Sequence, residues 1–171
     1  MINSFNLMDN MNGLTAGMSL VLVVLFGALG LVGWPLACAL AGGLLGFLGR
    51  NFPRGLIFLG DQGSQLLGYL MSLFALSGIA PQFEDGGSVR YWALGALLLV
   101  AGFLPFLADT LLVIIIRRRN GAPIMKGDQN HLSHQLLRRG HGHVRSPLIL
   151  VGGHALCALV VFISWVYYSP G

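Results

Sequence analysis

Leu104-Pro105-Phe106-Leu107-Ala108-Asp109-Thr110-Leu111-Leu112-Val113-Ile114-Ile115-Ile116-Arg117-Arg118-Arg119 closes an apolar run that begins at Trp92, and its reading decides the fold. A helix crossing a bilayer core of about 30 Å needs about 20 predominantly apolar residues, and this run supplies them. The arginines that follow stop the helix at the membrane surface. Further apolar stretches lie outward from it at 13–32, 34–49, 64–80 and 147–168, where a soluble fold would show short amphipathic runs. Those at 34–49 and 64–80 are short for a crossing and lean on flanks marked by Gly or Pro. The expected architecture is all-α, a polytopic bundle of about five transmembrane helices forming a single membrane domain over residues 1–171.

Composition agrees. Hydrophobic residues make up 55% of the 171 positions and charged residues 9%, against about a quarter charged in soluble domains. An ordinary soluble globular protein is excluded. The formal charge of +4 would admit nucleic acid binding, but no basic domain interleaved with aromatics carries it. Cys38 and Cys157 fall inside apolar segments, where thiols act as small hydrophobes, so no disulfide is expected. Residues 1–12 contain Asp9 and no Lys or Arg, unlike a cleaved signal peptide, and 13–32 is read as a retained helix.

The basic residues orient the chain. Of the ten Lys and Arg, Arg50 and Arg54 lie between the second and third segments, and Arg117, Arg118, Arg119, Lys126, Arg138, Arg139 and Arg145 between the fourth and fifth. Arg90 shares the loop 81–91 with Glu84 and Asp85. The positive-inside rule puts 50–63 and 117–146 in the cytoplasm, and counting spans puts 1–12 there too. Nearly all polar side chains then share one face, where they can form one site.

Three polar motifs occupy that face. In Asn3-Ser4-Phe5-Asn6-Leu7-Met8-Asp9-Asn10-Met11-Asn12-Gly13, a helix would place Asn3, Asn6, Asp9 or Asn10, and Gly13 on one stripe able to hydrogen-bond a base or sugar. A solvated, frayed terminus is the competing reading. Phe58-Leu59-Gly60-Asp61-Gln62-Gly63-Ser64 offers a carboxylate oxygen and free N–H groups at a helix start, suited to a divalent cation and phosphate. The alternative is an ordinary cap by Asp61 or Ser64. In 117–146, His131 and His134 would lie on one face of a short helix, with Arg117, Arg118, Arg138 and Arg139 available to phosphate oxygens. Read alone, the triple arginine is a stop-transfer cluster, and His141 and His143 are exposed loop histidines. A zinc site has no H-E-x-x-H or Cys pair to support it. Asp109, a carboxylate inside a span, is either functional or bonded between helices.

In this order and spacing the segments resemble the polyprenyl-phosphate N-acetylhexosamine-1-phosphate transferases, over nearly the whole chain. Asn3-x-x-Asn6-x-x-Asp9-Asn10-Met11-Asn12-Gly13-Leu14 is similar to the family's N-x-x-N-x-x-D-(N/G)-x-D-G-L segment, and Phe58 to Ser64 to its F-x-G-D-x-G-S segment. Pro105-x-x-x-Asp109, Arg118, Gly121 and Asp128-x-x-His131-x-x-His134-x-Leu136-x-x-x-Gly140 are similar to its terminal D-x-x-H-x-H-H loop. Asn12 stands where the family commonly has a second Asp, and Ser133 where it has the middle His of that loop.

The resemblance implies transfer of a sugar 1-phosphate from a UDP-N-acetylhexosamine to undecaprenyl or another polyprenyl phosphate, releasing UMP, in cell-wall or surface polysaccharide synthesis. It implies Mg2+ as cofactor, with Asp61 as its ligand. Asp61, Asp9 and His131 would be the catalytic set. Phe58 would stack on uracil, Asn3, Asn6 and Asn12 would hold the nucleoside side with Asp9, and His134, Arg117 and Arg118 would meet pyrophosphate or sugar. The family's ten spans and acidic Asp-Asp motif imply that this chain corresponds to the C-terminal half. The partners implied are membrane lipid and a homodimer mate or an N-terminal half-protein, and the implied location is the bacterial inner membrane. The competing expectation is a non-catalytic membrane subunit or transporter fragment, for which no internal repeat is seen.

Overall fold

The computed structural model describes residues 1–80, 89–121 and 130–168. Glu84, Asp85, Lys126 and Asp128 lie outside the described residues, as does the side chain of Arg90. Among the described residues the chain is entirely helical: α1 (Ile2–Met8), α2 (Leu14–Ala28), α3 (Trp34–Asn51), α4 (Gly60–Ile79), α5 (Val89–Arg119), α6 (Leu132–Arg138) and α7 (Gly142–Tyr168). All-α is therefore the fold class, as the sequence predicts.

The boundaries follow local chemistry. The apolar segment expected to run over 13–32 is helical only to Ala28, because Gly30 turns the chain in a left-handed conformation and Pro35 starts α3 behind the Gly33 cap. At a rise of 1.5 Å per residue, α2 is about 22 Å long, short of a full crossing. Two described helices are long and apolar enough to cross a membrane, Gly95–Arg119 in α5 and Gly142–Tyr167 in α7. Both carry an internal proline, Pro105 and Pro147. Pro105 withholds one helical N–H, and three residues before it the Gly102 carbonyl accepts from Nε2 of the buried His154 on α7 at 2.8 Å.

The core forms where α2 packs between α3 and α7, α5 packs on α7, and α1 tucks against α4 and α5. Its centre is aromatic. Phe5 of α1 stacks on Phe106 of α5 with ring centroids 3.9 Å apart and planes 7° off parallel. Phe103 lies 6.3 Å from Phe5 and 6.4 Å from Phe26 of α2, and His154 meets the edge of Phe106. Gly68 allows α1 to lie against α4: a Cβ there would stand 3.0 Å from the Cα of Ile2.

A seven-residue helix is not stable by itself in water, so α1 depends on this burial. Phe5→Ala should therefore cost about 3–5 kcal/mol, read as a fall in thermal midpoint in detergent. Phe58→Ala, at a side chain 73% exposed, should stay within about 0.5 kcal/mol. Equal effects of the two would contradict the placement of α1.

Candidate functional site

The N-terminal motif is a helix only as far as Met8, so the stripe expected from Asn3 to Gly13 is interrupted. Asp9 to Gly13 turn instead. Gly13 makes this turn with φ 77°, and a Cβ on it would sit 2.7 Å from the Phe52 ring. The turn is held from beneath by Asn51, a buried side chain at the end of α3. Its Oδ1 accepts from the Gly13 N–H at 2.6 Å, and its Nδ2 donates to the Ile57 carbonyl at 2.7 Å. Asn12 Nδ2 donates to the Pro53 carbonyl at 3.3 Å. One asparagine thereby fixes the first motif against the chain leading into the second.

Three side-chain bonds join the three motifs. Asn6 Nδ2 donates to Asp61 Oδ1 at 2.9 Å and to Ser64 Oγ at 3.1 Å. Ser133 Oγ donates to Asn10 Oδ1 at 2.5 Å, while Asn10 Nδ2 donates to the Leu7 carbonyl at 2.9 Å. Neither Asp61 nor Ser64 caps α4, whose cap position is Leu59; Ser64 Oγ instead bonds back to the Gly60 carbonyl at 2.9 Å. The ordinary-cap reading of the second motif therefore fails.

Between the first and second motifs lies a cavity of about 160 Å³ lined by Asp9, Asn10, Met11, Asn12, Asn51, Phe58 and Leu59. Sites for drug-sized ligands begin at about 300 Å³, so this one is sized for a single ring. Phe58 lies at its wall and is largely exposed. Asp61 is exposed and held by Asn6, and it does not line the cavity. Asn3 is exposed on α1 and does not line the cavity.

Burial pushes the Asp9 carboxyl up to about 6, the Thr15 hydroxyl offsetting part of the rise and the negative charge of Asp61 adding to it. Two carboxylates that sense each other, one exposed, suit a divalent cation that binds through one or two protein oxygens and leaves its other positions to water and phosphate. No group of three or more His, Cys, Asp or Glu side chains gathers around a metal position among the described residues. The oxygen donors of Asp9 and Asp61 thus suit a magnesium-like ion.

The third motif stands beside this group. His131 stands at the position preceding α6 and makes no side-chain cap bond, with His134 in the helix and their rings 6.4 Å apart. His131 is buried and its Nδ1 lies 2.7 Å from Asp109 Oδ2, while the Leu132 N–H donates to Asp109 Oδ1 at 2.6 Å. Burial lowers the His134 pKa, with His131, Arg138 and His143 adding to the effect and Asp109 opposing it, so the ring is neutral near pH 7. Arg117 is buried at the end of α5, with Arg118 and Arg119 exposed beyond it. His141 and His143 are exposed, His143 in the first turn of α7. Asn51 was missed by the sequence reading, and Ser64, read there as a motif residue or helix cap, instead accepts from Asn6.

Residues 1–79 match the model of glycosyl transferase family 4. The chain is 34% identical to the decaprenyl-phosphate N-acetylglucosaminephosphotransferase of Mycolicibacterium smegmatis, over 99% of this chain and 46% of that protein. It is 33% identical to the probable undecaprenyl-phosphate N-acetylglucosaminyl 1-phosphate transferase of Bacillus subtilis, over 86% of this chain and 40% of that protein. It is 27% identical to the undecaprenyl-phosphate alpha-N-acetylglucosaminyl 1-phosphate transferase of Escherichia coli, over 99% of this chain and 47% of that protein. The chain thus spans about half the length of the curated relatives it matches.

The Asp9 environment has a measurable consequence. Its pKa in the folded chain, about 6, lies above the ordinary 3.8, so the folded state holds the proton more tightly than the unfolded one. That contribution to stability is full below the ordinary value and is lost as the pH rises through about 6. Asp9→Asn removes the loss. Its thermal midpoint relative to the parent chain, in metal-free detergent, should rise between about pH 4.5 and about pH 7.5; a difference independent of pH would contradict the assignment.

Proposed function

We propose, from the match of residues 1–79 to glycosyl transferase family 4 and from the relatives named above, that the site of this chain transfers a sugar 1-phosphate from a UDP-N-acetylhexosamine to a polyprenyl phosphate. An oxygen of the lipid phosphate attacks the phosphorus that carries the sugar, and the bond from that phosphorus to the bridging oxygen of UMP breaks. UMP leaves and the product stays in the membrane. The relatives named above act on decaprenyl or undecaprenyl phosphate, which supports a lipid acceptor. The observation that carries the reading is the bonding of Asn6 to Asp61 and of Ser133 to Asn10, which gathers all three polar motifs at one place.

In this reading the cavity takes the uracil, with Phe58 stacking on it and Asn12 and Asp9 at the nucleoside side. Asn6 holds Asp61 in position. Asp61 would hold Mg2+, which when bound neutralises pyrophosphate charge and polarises the phosphorus. Asp9 titrates near 6, close to the second ionisation of a phosphate monoester at about 6, so it is matched to take a proton from the acceptor phosphate. His131 and His134 meet pyrophosphate or sugar, and Arg117 and Arg118 add positive charge on the same side. The chain would lie in a bacterial inner membrane with about five spans, and 1–12, 50–63 and 117–146 would face the cytoplasm, in cell-wall or surface polysaccharide synthesis.

Membranes expressing the full reading frame, given labelled UDP-N-acetylglucosamine and Mg2+, should form labelled lipid. Asp61→Asn should reduce it to background while membrane insertion is unchanged. No magnesium-dependent labelled lipid across several UDP-sugars, or a variant as active as the parent, would overturn the proposal and favour a non-catalytic membrane subunit.

A further inference from the structure

Asp109 takes no part in the reading above, yet it is among the most unusual side chains in the molecule. It is 1% exposed, within the apolar part of α5. Eight residues separate it from Arg117, which at 1.5 Å per residue is about 12 Å along the helix. A carboxylate that far inside an apolar helix is costly unless each oxygen is paired. Both are: Oδ2 is 2.7 Å from Nδ1 of His131 and Oδ1 accepts from the Leu132 N–H at 2.6 Å. The two donors belong to consecutive residues at the start of α6, so one carboxylate sets both where that helix begins and how the His131 ring is turned.

We propose that Asp109 is a positioning residue that holds His131 in the tautomer with its proton on Nδ1, leaving Nε2 as the lone-pair nitrogen. An accepting carboxylate can be met only by a ring N–H, and a carboxylate behind a histidine is a general means of selecting its tautomer and orientation. The neutral ring then offers an acceptor at Nε2. It receives a hydrogen bond from a hydroxyl or a protonated phosphate, and becomes a donor to a phosphate oxygen only on taking a second proton, whose charge Asp109 faces. Any smaller or neutral polar residue at 109 would lose one of these properties. Asparagine in particular would keep the bond to Leu132 through its oxygen but turn an N–H2 toward Nδ1, forcing the proton to Nε2.

The tautomer can be read without turnover. In the full chain labelled with 15N-histidine and purified in detergent, with His131 assigned by its loss in His131→Gln, the parent protein should show protonated Nδ1 and unprotonated Nε2. Asp109→Asn should invert the pair, and Asp109→Glu should restore it. Protonated Nε2 in the parent, or an unchanged tautomer in Asp109→Asn, would overturn the proposal. If Asp109→Asn does not fold, the parent spectrum and Asp109→Glu decide. The consequence for catalysis rests on the transfer reading: Asp109→Asn should lower kcat about 10- to 100-fold with little change in KM, and in a His131→Gln background it should add no further loss. Additive losses would show that Asp109 does not act through His131. A parent chain with the expected tautomer and no transfer under any condition would remove the transfer reading and leave the positioning role standing.

Discussion

The stacking of Phe5 on Phe106 is the contact on which the polar arrangement depends. It seats a helix too short to be stable alone against the long α5, and Gly68 lets the same helix approach α4. Once α1 is seated, Asn6 lies within reach of Asp61, and the turn that follows brings Asn10 to Ser133 and Gly13 to Asn51. A hydrophobic contact at the start of the chain therefore decides where amides and carboxylates meet. Because unpaired polar groups are expensive at the edge of an apolar bundle, these amides bond to one another and to backbone, and this leaves the arrangement little freedom.

Three aspartates occupy three environments, and their chemistry separates accordingly. Asp109 is enclosed and has both oxygens occupied, so it orients its neighbours. Asp9 is partly buried and holds its proton to about 6, so it is suited to exchange one. Asp61 is exposed and held on one side by an amide, so it is free to meet a cation.

Much of this was legible in the sequence. The runs of apolar residues announced an all-α bundle, and the expectation that the polar motifs can meet agrees with the bonds of Asn6 to Asp61 and of Ser133 to Asn10. The motifs around Asp9, Asp61 and His131 were visible because their residue types are out of place beside apolar segments. The end of α2 at Ala28 was not, since Leu29 to Val32 continue the apolar pattern and only the conformation of Gly30 breaks the helix. Nor was the end of α1 at Met8, because an asparagine stripe can run through a turn as well as along a helix. Asn51 was invisible: it is one polar residue at a helix end, and its role comes from the Gly13 N–H that the fold brings to it. Ser133 looked like a departure from the family pattern, and its importance appeared only when Asn10 was found opposite its hydroxyl.

The central claim is that the first and third motifs share one site, and proximity across it tests this most directly. With Cys38 and Cys157 replaced by Ala, the pair Asn10→Cys and Ser133→Cys should form an intramolecular disulfide rapidly under mild oxidation in native membranes, while Asn3→Cys with Ser133→Cys should not. Failure of the first pair to crosslink while both thiols remain reactive from the same membrane face, or thiols reactive from opposite faces, would contradict the account.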